Sequence, residues 1–430
     1  MRRVAAVISL FFLIAVGGRA FAGVEIVSDQ PSASLLLPYF EVNLDNPSGA
    51  NTLMTINNSS ATAILAHVVI WSDLSVPSLE FLVYLTGYDV YTLNLGDLFI
   101  NGILPQTASA GQDPRDTISP KGQLSQDINF ASCNGLLPYG PRPVTGVQLT
   151  GLQDALTGDA SANFGGLCAG VDYQDRIARG YITVDTVNNC TLRFPGDLGY
   201  FGPGGTGDVT NQNVLWGDVM YINKAADKAF GQPLVHILAS ATNPSTSTSG
   251  RYTFYGRYDN FTAADNRQPL STTFAARFIN GSSPDGARYF SGGTAMIVWR
   301  DSKVSQGPFT CPAQAGVRPS WYPLGQEGIV IFDEQEHPQL TASPAHVFPA
   351  ETQKVHVGGS ALPTTFDAGW MYLDLNTTVA AAGSNPPVDP AAAQAWVSTF
   401  YDNNAVGNTY RVGERANLLD SATSASHFVP

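Results

Sequence analysis

Residues 63–71 read Ala-Ile-Leu-Ala-His-Val-Val-Ile-Trp. A short β-branched run that stops at Ser72-Asp73 is a strand signature. Alternation places Ile64, Ala66, Val68 and Ile70 on one face and Leu65, Val69 and Trp71 on the other. Both faces are therefore apolar. An antiparallel strand with one wet face alternates more cleanly, so this strand is either central or covered on its second face by a partner domain or an insertion.

The same kind of run recurs along the whole chain. Thr52–Ile56, Leu79–Leu85, Tyr181–Val187, Val214–Ile222, Leu234–Leu238, Thr273–Phe278, Thr294–Trp299, Gly328–Phe332, Lys354–Val357 and Trp370–Leu375 all read as strands between Gly, Pro, Asn and Asp punctuation. Helical periodicity is scarce. Leu149, Leu152 and Leu156, followed by Gly158, predict one short helix. Asp389-Pro390 resembles a capped helix start, but the stretch after it alternates like a strand. The expected class is all-β, built as two related immunoglobulin-like β-sandwich domains.

Three blocks recur in the same order in the two halves and relate the sandwiches to each other. Val69-Ile-Trp-Ser-Asp73 matches Ile297-Val-Trp-Arg-Asp301, and Gly180-Tyr-Ile-Thr-Val-Asp185 matches Gly369-Trp-Met-Tyr-Leu-Asp374. Leu215–Ala225 matches Ala395–Ala405, with Trp, Tyr, Asn and Ala at identical offsets. The expected organisation is a first sandwich over 23–262 and a second over 263–430. The first carries a loop-rich insertion at about 107–177.

The ends and the composition bound the compartment. Arg2 and Arg3 precede an apolar run from Val4 to Val16, and Ala20-Phe-Ala22 is a small-x-small cleavage pattern. That is a Sec signal peptide over 1–22, and no later segment is long and apolar enough to span a bilayer. Periplasmic or extracellular localisation follows. Without Arg2, Arg3 and Arg19 the basic residues fall from 22 to 19 against 35 acidic ones, a formal charge of −16. Such a balance argues against nucleic acid as a partner. Cys133, Cys168, Cys190 and Cys311 then read as two disulfides. The expected pairing is Cys133–Cys168, closing the insertion, and Cys190–Cys311, tying the halves together.

Chemistry-bearing motifs are few. Gly202-Pro-Gly-Gly-Thr-Gly207 fits G-x-G-x-x-G but lies in a Gly/Pro loop with no helix after it, so a plain loop is the reading. The densest ionisable cluster is Asp333, Glu334, Glu336 and His337 at the end of a strand. Its carboxylates suit a calcium ion or glycoside acid/base work; a solvated hairpin tip is the plainer alternative. Asp172 with Asp175, and Asp259 with Asp265, are weaker versions of the same idea. No nucleophile motif is present, and His67 and His236 sit inside strands. The loop aromatics Trp321, Tyr322, Tyr200 and Phe201 could stack on sugar rings or plug the ends of the sandwiches.

Gly180–Asp185, Asn213–Asp218 and Trp71-Ser-Asp73, behind a signal peptide, resemble an uncharacterised group of secreted bacterial β-rich proteins with no assigned function. The resemblance implies export and transfers no activity. The function expected is non-enzymatic, without a cofactor unless calcium binds: an envelope or extracellular protein recognising a partner protein or polysaccharide. An extracellular hydrolase on a β scaffold and a surface-layer or filament subunit are the alternatives. The export reading has a direct check. Mass spectrometry of the exported chain should find Gly23 at its N-terminus, and a chain retaining Met1 would overturn the assignment.

Overall fold

A computed structural model describes residues 30–107, 138, 142–240, 253–258, 264–302, 306–311, 319, 321–326, 328–340, 347–376 and 394–419. The expected signal peptide, Cys133, Asp259 and the helix-start pattern at Asp389 lie outside them. The first half contains β1 (Ser34–Asn43), β2 (Ala50–Asn58), β3 (Ile64–Ser72), β4 (Pro77–Leu85), β5 (Val90–Asn94), α1 (Leu95–Asn101) and β6 (Ile103–Leu104). It continues with β7 (Arg142–Pro143), α2 (Val147–Thr157), β8 (Ile177–Val187), β9 (Leu215–Trp216), β10 (Asp218–Asn223), β11 (Lys228–Pro233) and β12 (Val235–Ile237). The second half contains β13 (Thr273–Ile279), α3 (Pro284–Tyr289), β14 (Gly293–Arg300), β15 (Gly328–Asp333), β16 (Pro338–Leu340) and β17 (Thr352–His356). β18 (Ala368–Asp374), β19 (Ala395–Asn403), β20 (Tyr410–Arg415) and β21 (Asn417–Leu418) complete it.

The protein is mostly β, and every expected strand segment falls on an observed strand. The expected helix is α2, ended by Gly158 in the left-handed conformation at φ 87°. One central strand was not anticipated: β1 contains Pro38, which cannot donate to a ladder. The chain accommodates it at a register shift between Leu37 and Phe40.

In the first half, a sheet of order β12-β1-β8-β3-β4 faces one of order β11-β10-β2-β5, with β9 extending β10 along β2. In the second half the orders are β21-β13-β18-β15-β16 and β20-β19-β14-β17. Taken in chain order, the two sets of strands occupy matching places. The immunoglobulin order is not the one formed, because that fold pairs its first two strands within one sheet. Here β1 and β2 lie in facing sheets.

Local chemistry follows the same correspondence. The Thr52 hydroxyl accepts from the Glu41 N–H and donates to the Glu41 carbonyl, both at 3.1 Å, stitching the facing sheets together. Thr294 does the same to Ile279, at 2.9 and 3.1 Å. Phe40 is paired with Gly180, and Phe278 with Gly369. Trp71 stacks on Tyr181 with centroids 5.7 Å apart, and Phe332 on Trp370 at 4.7 Å. The second and third sequence blocks thus sit on matching strands. The first block does not. Trp71 ends β3 whereas Trp299 lies on β14, which occupies the place of β2. Their likeness has another source, since both rings pack into one aromatic cluster between the halves with Tyr181 and Trp396.

The disulfide expectation also requires correction. Cys168 pairs with Cys311, so neither expected pairing forms. The bond still ties the insertion of the first half to the second half. Backbone hydrogen bonds in both directions between Cys168 and Phe309 hold the two segments side by side next to the disulfide.

Gly180 and Gly369 mark positions where backbone approaches backbone. A Cβ there would lie 1.9 Å from the Trp71 carbonyl oxygen and 1.8 Å from that of Phe332, and neither can move aside. Gly180→Ala and Gly369→Ala should each cost about 1–3 kcal/mol in chemical denaturation. Gly328→Ala, whose Cβ meets nothing within 4 Å, serves as the neutral control.

Candidate functional site

The aromatic residues singled out from the sequence do not form an exposed platform. Trp321 is fully buried with Leu74, Val76 and Phe309, beside the disulfide. Tyr200 is fully buried over Leu65, Leu82 and Tyr84. Tyr322 and Phe201 are half-buried against them. These loops return over the sheets and deposit large apolar area there, which outweighs leaving the rings in water. Gly202 and Gly207 in the G-x-G-x-x-G stretch close a turn of the same loop, and no helix follows.

The acidic cluster is the loop between β15 and β16. The Asp333 carboxylate accepts from the N–H groups of Gln335 (2.9 Å) and His337 (2.8 Å), and Glu336 takes φ 67°. The loop between β3 and β4 has the same build. There the Ser72 hydroxyl accepts from Leu74 (3.4 Å) and Val76 (3.1 Å), and Ser75 takes φ 61°. Asp333 therefore serves its own backbone, and His337 Nδ1 lies 2.8 Å from its second oxygen. With Glu334, Asp285 and Asp367 it borders an open cleft of about 410 Å³. Among the described residues no group of three or more His, Cys, Asp or Glu side chains is placed to hold a metal ion. Of the weaker pairs, Asp175 holds Arg179 at 2.7 Å and Asp265 is buried beside Arg267.

Two buried polar networks could not be found from sequence spacing, because their members lie far apart in the chain. In one, Asp185 accepts from Tyr200 (2.7 Å) and Tyr255 (2.9 Å) and pairs with Arg267 at 3.3 Å, while Ser34 also bonds to it. His67 contacts Tyr200 at 3.1 Å and Glu80 at 3.2 Å. Ser, His and Asp are all present, yet the nucleophile logic fails: both His67 ring nitrogens face groups other than Ser34, and Ser34 is fully buried. In the other network, Arg257 pairs with Glu351 and, at 3.0 Å, with Asp301, and it donates to Ser302 at 2.6 Å. Both networks join segments remote in sequence. Their chemistry is that of satisfied buried charge.

What the fold leaves open is a sheet face. On β5-β2-β10-β11 the inward residues Tyr91, Leu93, Met54, Ile56, Val219 and Tyr221 enter the core. The outward ones include Val90, 53% exposed, Trp216, 40%, and Met220, 47%. Leu53, Thr55, Thr92, Ile222, Ala229, Gly231 and Pro233 complete most of the surface, and Asp218 is the one charged side chain among these outward positions. A nearly uncharged sheet face that carries an exposed Trp and Met is suited to contact with another macromolecule. Sequence patterning carried a partial signal, because Trp216, Asp218 and Met220 alternate with buried Leu215, Val219 and Tyr221.

Asp73 marks the junction of three segments. Its Oδ1 accepts from the Val171 N–H at 3.0 Å, and its carbonyl accepts from the N–H groups of Glu351 and Thr352. Its Oδ2 has no hydrogen-bond partner among the described residues. Burial pushes the carboxyl up to about 7, against the Val171 hydrogen bond that pulls it down. A carboxyl raised in the folded state binds its proton more tightly there. Its contribution to stability is complete below the ordinary value of 3.8 and is lost as pH rises toward about 7. Asp73→Asn should remove that part of the pH dependence and stabilise the protein at pH 8 by about 1–3 kcal/mol. Thermal melting of both forms between pH 4 and pH 8 tests it. Comparison with known proteins finds no family model and no curated protein that matches this chain.

Proposed function

We propose that this is an exported, non-enzymatic structural or binding protein that acts through the open face of β5-β2-β10-β11. The observation that carries the reading is that face itself: Trp216 and Met220 stand in water on rigid strands. They are surrounded by uncharged side chains, and Asp218 is the one charge among the described outward positions. Recognition there would rest on aromatic and apolar area held at low entropy cost. Export is supported by the N-terminal signal pattern and by the Cys168–Cys311 disulfide, which persists in an oxidising compartment. The likeness to secreted bacterial β-rich proteins in Trp71–Asp73, Gly180–Asp185 and Asn213–Asp218 points the same way.

We further propose that the chain is a tandem duplication of one nine-strand unit. The matching strand orders support this, as do the paired Thr52 and Thr294 bridges and the Gly180 and Gly369 contacts. So do the two five-residue hairpin loops, 72–76 and 333–337, each followed by proline at Pro77 and Pro338.

The test is retention. In cells that produce it, the wild-type chain should fractionate with the envelope. Trp216→Ser combined with Met220→Ser should be released while melting at the wild-type temperature. Equal release of both forms would remove the face from the function. Turnover of a polysaccharide or peptide panel by the wild-type chain, lost in Asp333→Asn/Glu334→Gln, would favour the hydrolase instead.

A further inference from the structure

The open face has a counterpart within the same chain, and there it is covered. The outer side of β17-β14-β19-β20 corresponds strand for strand, and in pairing register, to the outer side of β5-β2-β10-β11. Trp396 stands for Trp216, Phe400 for Met220 and Gly413 for Gly231. In the second half this side is packed on the first half. Phe400 is held between Tyr221 and Phe230, at ring distances of 5.5 and 5.1 Å. Gly413 lies under Phe230, where a Cβ would come within 2.7 Å of the ring. Lys228 pairs with Asp402 at 3.1 Å, Lys354 with Glu41, and Gln232 donates to Ser398 at 3.3 Å.

The receiving surface is also duplicated, and in its second copy the described ring that packs on Tyr401 and Tyr410 comes from the same half, Phe290 at 5.7 and 5.9 Å. Tyr221 and Phe230 correspond to Tyr401 and Val412, of which Val412 is 46% exposed. The buried Trp71–Tyr181 stack corresponds to Phe332–Trp370, which is half-buried. Among the described residues, one chain thus contains one filled joint and the two sides of a second, each partly exposed.

We infer that this protein associates with copies of itself head to tail, the open face of the first half of one chain seating on the β19-β20 side of the second half of the next. The inference rests on the surface-acting reading above and names the partner as a second copy of this chain. Because the two contacting surfaces differ, the contact is heterologous, and successive copies add into a ring or an open filament.

Carrying the internal joint over to the intermolecular one predicts its chemistry. Met220 meets Tyr401 and Val412, apolar on apolar, and Gly231 keeps the passage that Gly413 keeps for Phe230. The two ion pairs are replaced: Ile222 faces Tyr410 where Asp402 faced Lys228, and Thr92 faces Ile279 where Lys354 faced Glu41. The third polar contact becomes Asp218 against Glu414, two carboxylates. The joint is therefore apolar at its centre and opposed by one like-charge contact at its edge.

Sedimentation velocity of the mature full-length chain over a concentration series, with electron microscopy of the same samples, tests this. Wild type should form concentration-dependent species larger than a monomer. Met220→Asp and Val412→Asp, both at exposed positions and each melting as wild type, should each stay monomeric. An equimolar mixture of the two should stop at a dimer, since each retains one intact side. Asp218→Asn should lower the dissociation constant several-fold. Self-association of Val412→Asp at the wild-type level would overturn the head-to-tail contact. So would a wild type that stays monomeric at every concentration, and in that case release of the Trp216/Met220 variant from the envelope would still uphold the function proposed above. If that release failed too, both readings would fall.

Discussion

The sheet β12-β1-β8-β3-β4 has no wet face at its centre, and the rest of the molecule is arranged around that constraint. One side carries Ala66, Val68, Ile70, Ile182 and Val184 into the sandwich core. The other carries Leu36, Val69, Trp71 and Tyr181, which a lone sandwich would leave in water. Burial of each large side chain is worth about 1.5–3 kcal/mol, so exposing this second side would be prohibitive for a marginally stable fold. The cover comes from three sources: the loop that brings in Tyr200, the connecting segment with Phe254, Tyr255 and Tyr258, and the second half with Trp299 and Trp396.

Covering an apolar sheet with irregular chain brings polar groups inside, and the two arginine networks answer that need. Arg267 satisfies Asp185 and Asp265, and Arg257 satisfies Glu351 and Asp301. Removing one partner from such a group leaves a buried charge unmatched, which costs far more than the pair contributes. These residues accordingly set how the halves are joined, and they explain why a Ser, a His and an Asp lie near one another without forming a nucleophile.

On the proposed duplication, one unit has met two fates, and the differences between copies follow from what covers each. The loop Ser72–Val76 lies at the junction with the insertion and the second half, and its residues are buried. Its counterpart Asp333–His337 is in water and is charged. The acidic cluster is what the same loop becomes when it is left exposed. Likewise Phe400 is enclosed while Met220 is open, although both occupy the same place in their sheets.

Local patterning specified most of the strands, though not β1, together with the helix α2 and its Gly158 stop and the matching of Gly180 with Gly369 and of Trp216 with Trp396. Those are local matters: alternation, capping and close backbone approach are written within a few residues of where they act. It also showed both faces of residues 63–71 to be apolar, so that the strand is either central or covered on its second face. The tertiary structure alone decided what supplies that cover, which cysteine reaches Cys311, and that Trp71 and Trp299 meet in one cluster from non-equivalent strands. It decided too that Trp321 and Tyr200 are core while Trp216 is surface. An aromatic ring in a Gly/Pro loop carries no mark of the direction in which the loop folds. That direction depends on which apolar area remains uncovered after the sheets have formed, and no single stretch of the chain specifies it.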